Sequence, residues 1–398
     1  MRARFSELID RSRASKMKHT LLLTASLLTA LAPISASALT YDVFEGSSIQ
    51  NSIAIARDGD TIRVHQGIFL ENIDFLSKKI SLIGVDGAEK TIIRGTRGTV
   101  VTLGGSSAFM GFTVTGGSAS NVAGMSVSGT GTLIVNNIFT ENQQGGGGFG
   151  AAIGGNNASP FIVGNLFTKN SSDNQLLSGA VSFVNGSSPF IGNNIFFNNQ
   201  GRGLNLTLPA GNTPVVTNNT FVGNTSAIRV DERVDTSTDV FRNNLVYGNL
   251  MGLQVDLASP SSLLTWDHNL VFGNGINYGS GTGNFSKDYT GTSGNISVDP
   301  EFVDVSAGNF RLKLDSPAID AGTFLDSLGY DFSGTIRPDG GIFDGSALPD
   351  IGAFEFVPSP VPEPSTYGLL TAGVLAGLIV TRRVRRNRYL EVLARRMG

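Results

Sequence analysis

NNIFTEN from Asn136, GNLFTKN from Gly164, NNIFFNN from Asn193, NNTFVGN from Asn218, NNLVYGN from Asn243 and HNLVFGN from His268 are one phrase written six times. Its second position falls at Asn137, Asn165, Asn194, Asn219, Asn244 and Asn269, so the steps are 28, 29, 25, 25 and 25 residues. A period in that range marks a chain of stacked supersecondary units, each burying its apolar face against its neighbours.

Around the phrase each unit holds three short apolar runs separated by turns. In the unit from Leu204, residues 204–208 read as a strand and 209–213 as a turn. Pro214, Val215 and Val216 form a second strand, Asn218 and Asn219 a corner, and Thr220, Phe221 and Val222 a third strand; Gly223 and Asn224 close the coil. Runs of three to five Val, Ile, Leu and Phe bounded by Gly, Pro and Asn are too short for helices. Three strands and three corners in about 25 residues describe one coil of a parallel β-helix. Asn suits the corners because it tolerates left-handed backbone angles. The row at Asn137, Asn165, Asn194, Asn219, Asn244 and Asn269 is expected to stack along the axis with amides bonded from coil to coil. Phe139, Phe167, Phe196 and Phe221, then Val246 and Val271, are expected to form one interior column. Pro160, Pro189 and Pro214 open the second strand, where a missing donor is tolerated. A β-sandwich with Asn-rich turns has no reason to keep a constant phrase, and the Leu spacing of leucine-rich repeats is absent.

The ends carry targeting signals. Met17, Lys18 and His19 give a basic start, residues 20–31 are apolar, and Ala36-Ser37-Ala38 is a small-residue cleavage site. Residues 1–38 therefore read as a signal peptide with an N-terminal extension, the start being Met1 or Met17. At the other end, residues 358–366 form a Pro-rich linker containing Pro362-Glu363-Pro364. Residues 367–381 are apolar, and 382–398 form a tail rich in Arg. Positive charge beyond an apolar stretch holds that end in the cytoplasm. The stretch falls short of the roughly 20 residues of a stable span, which suits a transient sorting helix. Pro362, Glu363 and Pro364, the short apolar segment and the Arg cluster resemble the PEP-CTERM sorting signal of exopolysaccharide-producing Gram-negative bacteria. The resemblance implies recognition by an exosortase-type enzyme in the inner membrane and export to the surface. The tail from Tyr389 to Gly398 is longer than that pattern usually has.

The region between, residues 39–357, is similar to bacterial right-handed parallel β-helix surface proteins of the pectin-lyase-like superfamily. The similarity rests on the opening SIQNSIAIARDGDTIRVHQGIFLENI from Ser48, read as a capping helix, an Asp-Gly turn and first strands. It rests also on KKISLIGVDG from Lys78, TIIRG from Thr91, and the closing VDPEFVD from Val298, NFRLKLDSPAIDAG from Asn309 and PDIGAFE from Pro349. It implies an architecture and not a reaction. The expected fold is all-β, a right-handed solenoid of about ten coils.

Composition narrows the chemistry. There is no cysteine, so no disulfide framework and no thiol nucleophile. A net charge of −3 leaves no nucleic-acid footprint. From Gly98 to Ile228 the charged residues are Glu141, Lys169, Asp173 and Arg202, so the surface there is expected to be Ser, Thr, Asn and Gly. His65 reads as a turn residue and His268 fills an Asn corner position; no zinc-type cluster is present and no cofactor is expected. The glycine-rich run 145–155 lacks the following helix of a phosphate loop and reads as a flexible junction.

One cluster invites a chemical reading. With Ile228 and Val230 pointing in, Arg229 and Asp231 point out; one coil later Gln254 and Asp256 point out, and one coil earlier Asn205 and Thr207. Asp231 and Asp256 would stack about 4.8 Å apart, the interstrand spacing. Carboxylates that close repel, an arrangement that sets an acid beside a base. They are the candidate catalytic pair, with Arg229, Gln254 and Asn205 as candidate substrate-binding residues; alternatively Arg229 simply neutralises the pair. Glu232, Arg233, Asp235 and Asp239 nearby read as a solvated turn. A lyase would need a basic residue beside Ca²⁺-binding acids, for which Arg229 and Arg242 are the candidates.

The expectation is an exported cell-envelope or extracellular-matrix β-helix protein, structural or glycan-binding. Its partners would be an exosortase-type enzyme, the inner membrane in transit and an extracellular polysaccharide. The rival is a polysaccharide hydrolase or lyase of the same architecture.

Overall fold

The structure, a computed structural model, describes residues 38–357 except 147, 174–177, 210, 233–238, 258–263, 281–286, 325–327 and 339–347. The signal peptide up to Ser37, the Pro362-Glu363-Pro364 motif, the apolar segment and the basic tail lie outside the described residues.

The unit of the fold is the three-strand coil. The coil from Arg202 runs Arg202–Leu208, Val215–Thr217 and Thr220–Val222, one strand in each of three parallel stacks or sheets, the first two of which the long strands Met125–Val135 and Gly150–Val163 join edge to edge into one 17-stranded sheet. The next runs Ser226–Glu232, Val240–Arg242 and Leu245–Tyr247. Pairing between coils is parallel and residue for residue, as in Ile195 with Thr220, Leu245 and Leu270. The third sheet has nine strands, so the solenoid has about nine turns. The expected ten is too many, because the chain stops coiling near Ile296 and spends its remaining described length as a strap along the side.

The phrase is two identical corners around one strand. Its first residue takes a left-handed backbone at Asn136, Gly164, Asn193, Asn218, Asn243 and His268, with φ from 49° to 67°. That region strains most side chains and suits Asn and Gly. The following Asn turns its amide inward and bonds along the axis. Asn165 Oδ1 accepts from Asn137 N at 2.9 Å and Asn137 Nδ2 at 3.0 Å, and Asn165 Nδ2 donates to Asn194 Oδ1 at 3.0 Å and Ile134 O at 2.9 Å. The row continues through Asn219, Asn244 and Asn269 to Asn295. The corner after the third strand repeats this grammar. Glu141, Lys169, Asn198, Gly223, Gly248 and Gly273 have φ from 53° to 67°, and the next residue begins a second amide row. That row links Asn142, Asn170, Asn199, Asn224, Asn249 and Asn274.

Between the two rows the third strand points one side chain inward. Phe139, Phe167, Phe196 and Phe221 stack with ring centroids 5.2, 4.8 and 4.4 Å apart, followed by buried Val246 and Val271. The second half of the glycine-rich run is not a flexible junction. Gly150–Val163 is a strand, and a Cβ on Gly154 or Gly155 would lie 2.5 Å from the Val122 side chain or 2.4 Å from the Phe183 ring. Close packing, not flexibility, requires glycine there.

The N-terminal end is closed by α1, Ile49–Ile55, which buries Ile49 and Ile53. Glu71 accepts from Ile49 N at 2.7 Å and Gln50 N at 3.2 Å; Lys78 Nζ donates to the carbonyls of Ile53, Ala54 and Ala56, each at 2.7 Å. An anion at the first turn and a cation at the last match the helix dipole.

The strap lies against the outer side of the third sheet. Phe302, Phe310, Leu312, Ile351, Ala353 and Phe354 pack on Ile195, Val222, Leu245 and Leu270. The left-handed corner residues hold it: Asn193 Nδ2 donates to Tyr330 O, Asn218 Nδ2 to Asp350 O at 3.3 Å and Asn243 Nδ2 to Thr323 O at 2.8 Å. Beneath it Arg337, 4% exposed, pairs with Glu355 and donates to Asn193 Oδ1 at 2.8 Å and Gly352 O at 2.9 Å.

Candidate functional site on the first sheet

Asn205, Arg229 and Gln254 are register partners on successive strands of the first sheet, and so are Thr207, Asp231 and Asp256. Ile228, Val230, Leu253 and Val255 between them are buried in the core. The two-residue alternation of a strand therefore puts all the candidate residues on one outer row.

Arg229 lies across both carboxylates. Its Nε donates to Asp256 Oδ2 and its Nη2 to Asp231 Oδ2, each at 2.8 Å. Nη1 reaches Asn205 Oδ1 at 3.3 Å and Thr207 Oγ1 at 3.4 Å. Gln254 Nε2 adds a bond to Asp256 Oδ2 at 3.2 Å, Ser280 Oγ one to Asp256 Oδ1 at 3.4 Å, and Asn205 Nδ2 donates to Ser182 Oγ at 3.0 Å. The two carboxylates meet the same cation before they meet each other, which offsets the repulsion an acid–base pair draws on. The row is also drier than an outward strand face suggests: side-chain exposure is 12% for Arg229, 17% for Asp231 and 5% for Asp256. Asn205 and Gln254 are buried as well. Asp239, expected in a solvated turn, is buried too.

Arg202 was not among the candidates, yet it belongs to this cluster. It opens the strand Arg202–Leu208 and pairs in register with Gly179 on one side and Ser226 on the other. It is 3% exposed, and its Nε and Nη1 are buried without a hydrogen-bond partner. Burial pushes its guanidinium down to about 10; Arg229 acts in the same direction, and Asp256 and Asp231 oppose it. The signal in the sequence was a lone Arg in a stretch almost without charge, at the first position of a strand.

The remaining candidates do not join this row. Arg242 is on the second sheet, where its Nε donates to Asp267 Oδ2 at 2.9 Å. His65 lies near the N-terminal end, its Nε2 at 2.8 Å from Asp42 Oδ1 and its ring stacked on Phe44 at 4.3 Å. His268 takes the left-handed corner position, φ 49°, that Asn fills in its neighbours. Among the described residues no group of three or more His, Asp or Glu side chains is placed to hold a metal ion.

Residues 99–296 match the family described as right handed beta helix region, and residues 360–386 match the PEP-CTERM protein-sorting motif. Among solved structures the chain resembles pectate lyase Pel9A, with a TM-score of 0.50 and 16% identity over 81% of this chain and 97% of that one. A weaker match is the PL6 family polysaccharide lyase Pedsa3628 from Pseudopedobacter saltans, with a TM-score of 0.22 and 12% identity over 69% of this chain and 97% of that one. No curated protein matches the sequence. The Pel9A likeness speaks for the fold alone, and the PL6 match carries no argument. The chain is a right-handed β-helix protein that ends in a PEP-CTERM sorting motif. That motif implies processing by an exosortase and indicates a sorted, exported cell-surface protein.

Proposed function

We propose that this protein is a non-catalytic scaffold of the cell envelope, delivered to the outer surface or extracellular matrix of a Gram-negative bacterium and associated with its exopolysaccharide. The supporting observation is the clasp of Arg229 on Asp231 and Asp256. A hydrolase needs one of the two carboxylates to give up a proton and the other to attack or activate water. A guanidinium donating to an oxygen of each favours two anions held still. The lyase reading meets the same difficulty, since Arg229 and Arg242 are both committed to carboxylates. The hydrolase remains the second reading, because Asp231 and Asp256 do share a row on one strand face; in it Arg229, Gln254 and Asn205 would position the sugar.

In this proposal residues 1–38 direct the chain across the inner membrane, and residues 367–381 hold it there only until the exosortase acts. The Pro362→Ala, Glu363→Ala, Pro364→Ala triple variant should then remain at the inner membrane at its unprocessed mass, read by fractionation and mass spectrometry. Delivery of that variant to the surface at the wild-type rate would contradict the proposal.

A further inference from the structure

The second sheet carries an apolar row on its outer side. Inward, Phe109, Ile134, Ile162, Ile191, Val216 and Phe241 belong to the core. Their neighbours along each strand point out, and parallel register lines those up from coil to coil. Phe161 and Phe190 are at the centre of the row, their rings 5.8 Å apart. Leu133 and Val215 flank them, Ala108 and Val240 come next, and the hydroxyls of Ser81 and Thr265 end the apolar run. Met110, Val135 and Val163 run beside it as far as Gly192, where a Cβ would lie 2.9 Å from Leu328 Cδ1 of the strap. Leu133, Phe161, Phe190, Val215 and Val240 are each half-buried, and none belongs to, or packs on, either hydrophobic core.

Contiguous apolar surface of this kind marks an interaction face. Its chemistry selects the occupant. An anionic lipid surface would call for a basic rim, and from Gly98 to Ile228 the cations are Lys169 and Arg202, the latter buried on the first sheet. A glycan needs hydrogen-bonding side chains beside the rings, and Leu133, Val135, Val163 and Val215 offer none. The order of the row suits a different partner, because it matches its own reverse: hydroxyl, two aliphatics, Phe, then Phe, two aliphatics, hydroxyl. A two-fold axis along the strand direction, between Phe161 and Phe190, sets Phe161 against Phe190 of a second copy. It also sets Leu133 against Val215, Ala108 against Val240 and Ser81 against Thr265. The strands then run the same way in both sheets, the aligned packing that places two faces about 10 Å apart. Charged side chains on the strands of this sheet lie toward its two ends and pair among themselves, Arg63 with Asp42 and Arg242 with Asp267.

We propose that this face joins two copies of the chain back to back through their second sheets, with the coils of one copy running opposite to those of the other. Ala108 to Val240 spans five strand steps, about 24 Å. With the neutral turns on either side as a rim, that strip forms the dry centre of a standard interface, roughly 800 Å² per copy.

Sedimentation velocity of the purified full-length protein should show a dimer at micromolar concentration. Phe161→Lys puts a charge at the centre of the contact and should raise the dissociation constant by about tenfold or more. The chain has no cysteine, so introduced thiols report the pairing alone. The double variant Leu133→Cys, Val215→Cys should oxidise to a disulfide-linked dimer, since each thiol meets its counterpart in the second copy. Within one chain the two positions are three strand steps apart, about 14 Å, too far to bridge. Leu133→Cys alone should stay unlinked. A wild type that remains monomeric would overturn the inference, whether or not that monomer floats with phosphatidylglycerol vesicles or is retained by a polysaccharide. A dimer unaffected by Phe161→Lys would place the contact elsewhere, and one cross-linked equally through Leu133→Cys alone would reverse its order; either result overturns the inference. The cysteine pair decides the question even if Phe161→Lys fails to fold, and none of these readouts depends on whether the protein cleaves a glycan or how it is sorted.

Discussion

At the residue scale this protein is an argument about the carboxamide. Each buried Asn of the two rows needs an acceptor toward one neighbour and a donor toward the other, and only an amide of that length has both. Asn194 Oδ1 accepts from Asn165 N at 2.9 Å and Asn165 Nδ2 at 3.0 Å, while its Nδ2 donates to Asn219 Oδ1 at 3.0 Å and Ile162 O at 2.8 Å. Asn194→Ala strands those partners in the core and should destabilise the protein by roughly 2–4 kcal/mol. Asn194→Asp should do no better, because it turns an acceptor toward Asn219 Oδ1 and Ile162 O. Urea unfolding of both variants measures this; a loss below about 0.5 kcal/mol in either, the range of ordinary surface changes, would show that the row is ornament. The amide row at the second phrase position was legible because it recurs at a constant spacing. The second row, at the last letter of the phrase, recurs just as regularly, but a residue that closes a coil does not by its position alone reveal that its amide turns inward. Arg202 was harder to see: burial of a charge depends on what covers a strand face, and alternation along the strand does not reveal it.

At the scale of elements, the strap explains a feature of the repeat that the coil alone does not. The first Asn of the phrase needs only a left-handed backbone, for which Gly serves at Gly164. Yet Asn193, Asn218 and Asn243 also use their side chains to hold residues of the strap. The strap's polar centre should make it sensitive to pH. Burial pushes the Glu355 carboxyl up to about 8, Arg337 opposing and Asp350 reinforcing. Burial likewise pushes Asp350 up to about 6, against the backbone N–H groups of Asp320 and Phe356 that donate to it and against Arg337. An acid whose folded value is raised holds its proton in the native state after the unfolded chain has lost it. The native state is then favoured most below the unfolded values near 4, and that advantage is lost as pH rises through about 6 and then about 8. Strap residues should therefore become more accessible to protease between pH 5 and 8.5, monitored by mass spectrometry with rates corrected for the protease's own pH profile. The change should be much reduced in Glu355→Gln, which stays neutral throughout. Protection that increases with pH would reverse the sign and refute the account of this centre. The closing motifs were recognisable in the sequence as an ending; that they run back along the third sheet was not, because those contacts join residues more than a hundred positions apart, such as Asn193 and Arg337.

At the scale of the whole molecule, two amide rows and a stacked Phe column fix the coils at one spacing, and a helix and a strap cover an end and a side. Such a stack of coils presents regular faces, with little charge from Gly98 to Ile228. The architecture is shared with a polysaccharide lyase, but at 16% identity the likeness extends to the coil and no further. The pairing of Asp231 with Asp256 was legible from alternation and period alone, and so was the possibility that Arg229 neutralises them. What the sequence could not decide between those readings is where the guanidinium points, and it points at both carboxylates. The central proposal is that this clasp is structural and that the protein works as a scaffold rather than a catalyst. The most direct test is release of reducing ends or unsaturated products from uronate-containing and neutral polysaccharides by the purified protein, followed beside Asp231→Asn and Asp256→Asn. The account predicts no release above the buffer blank from any of the three proteins. Release by the wild type that disappears in Asp231→Asn would contradict it and make the row an active site.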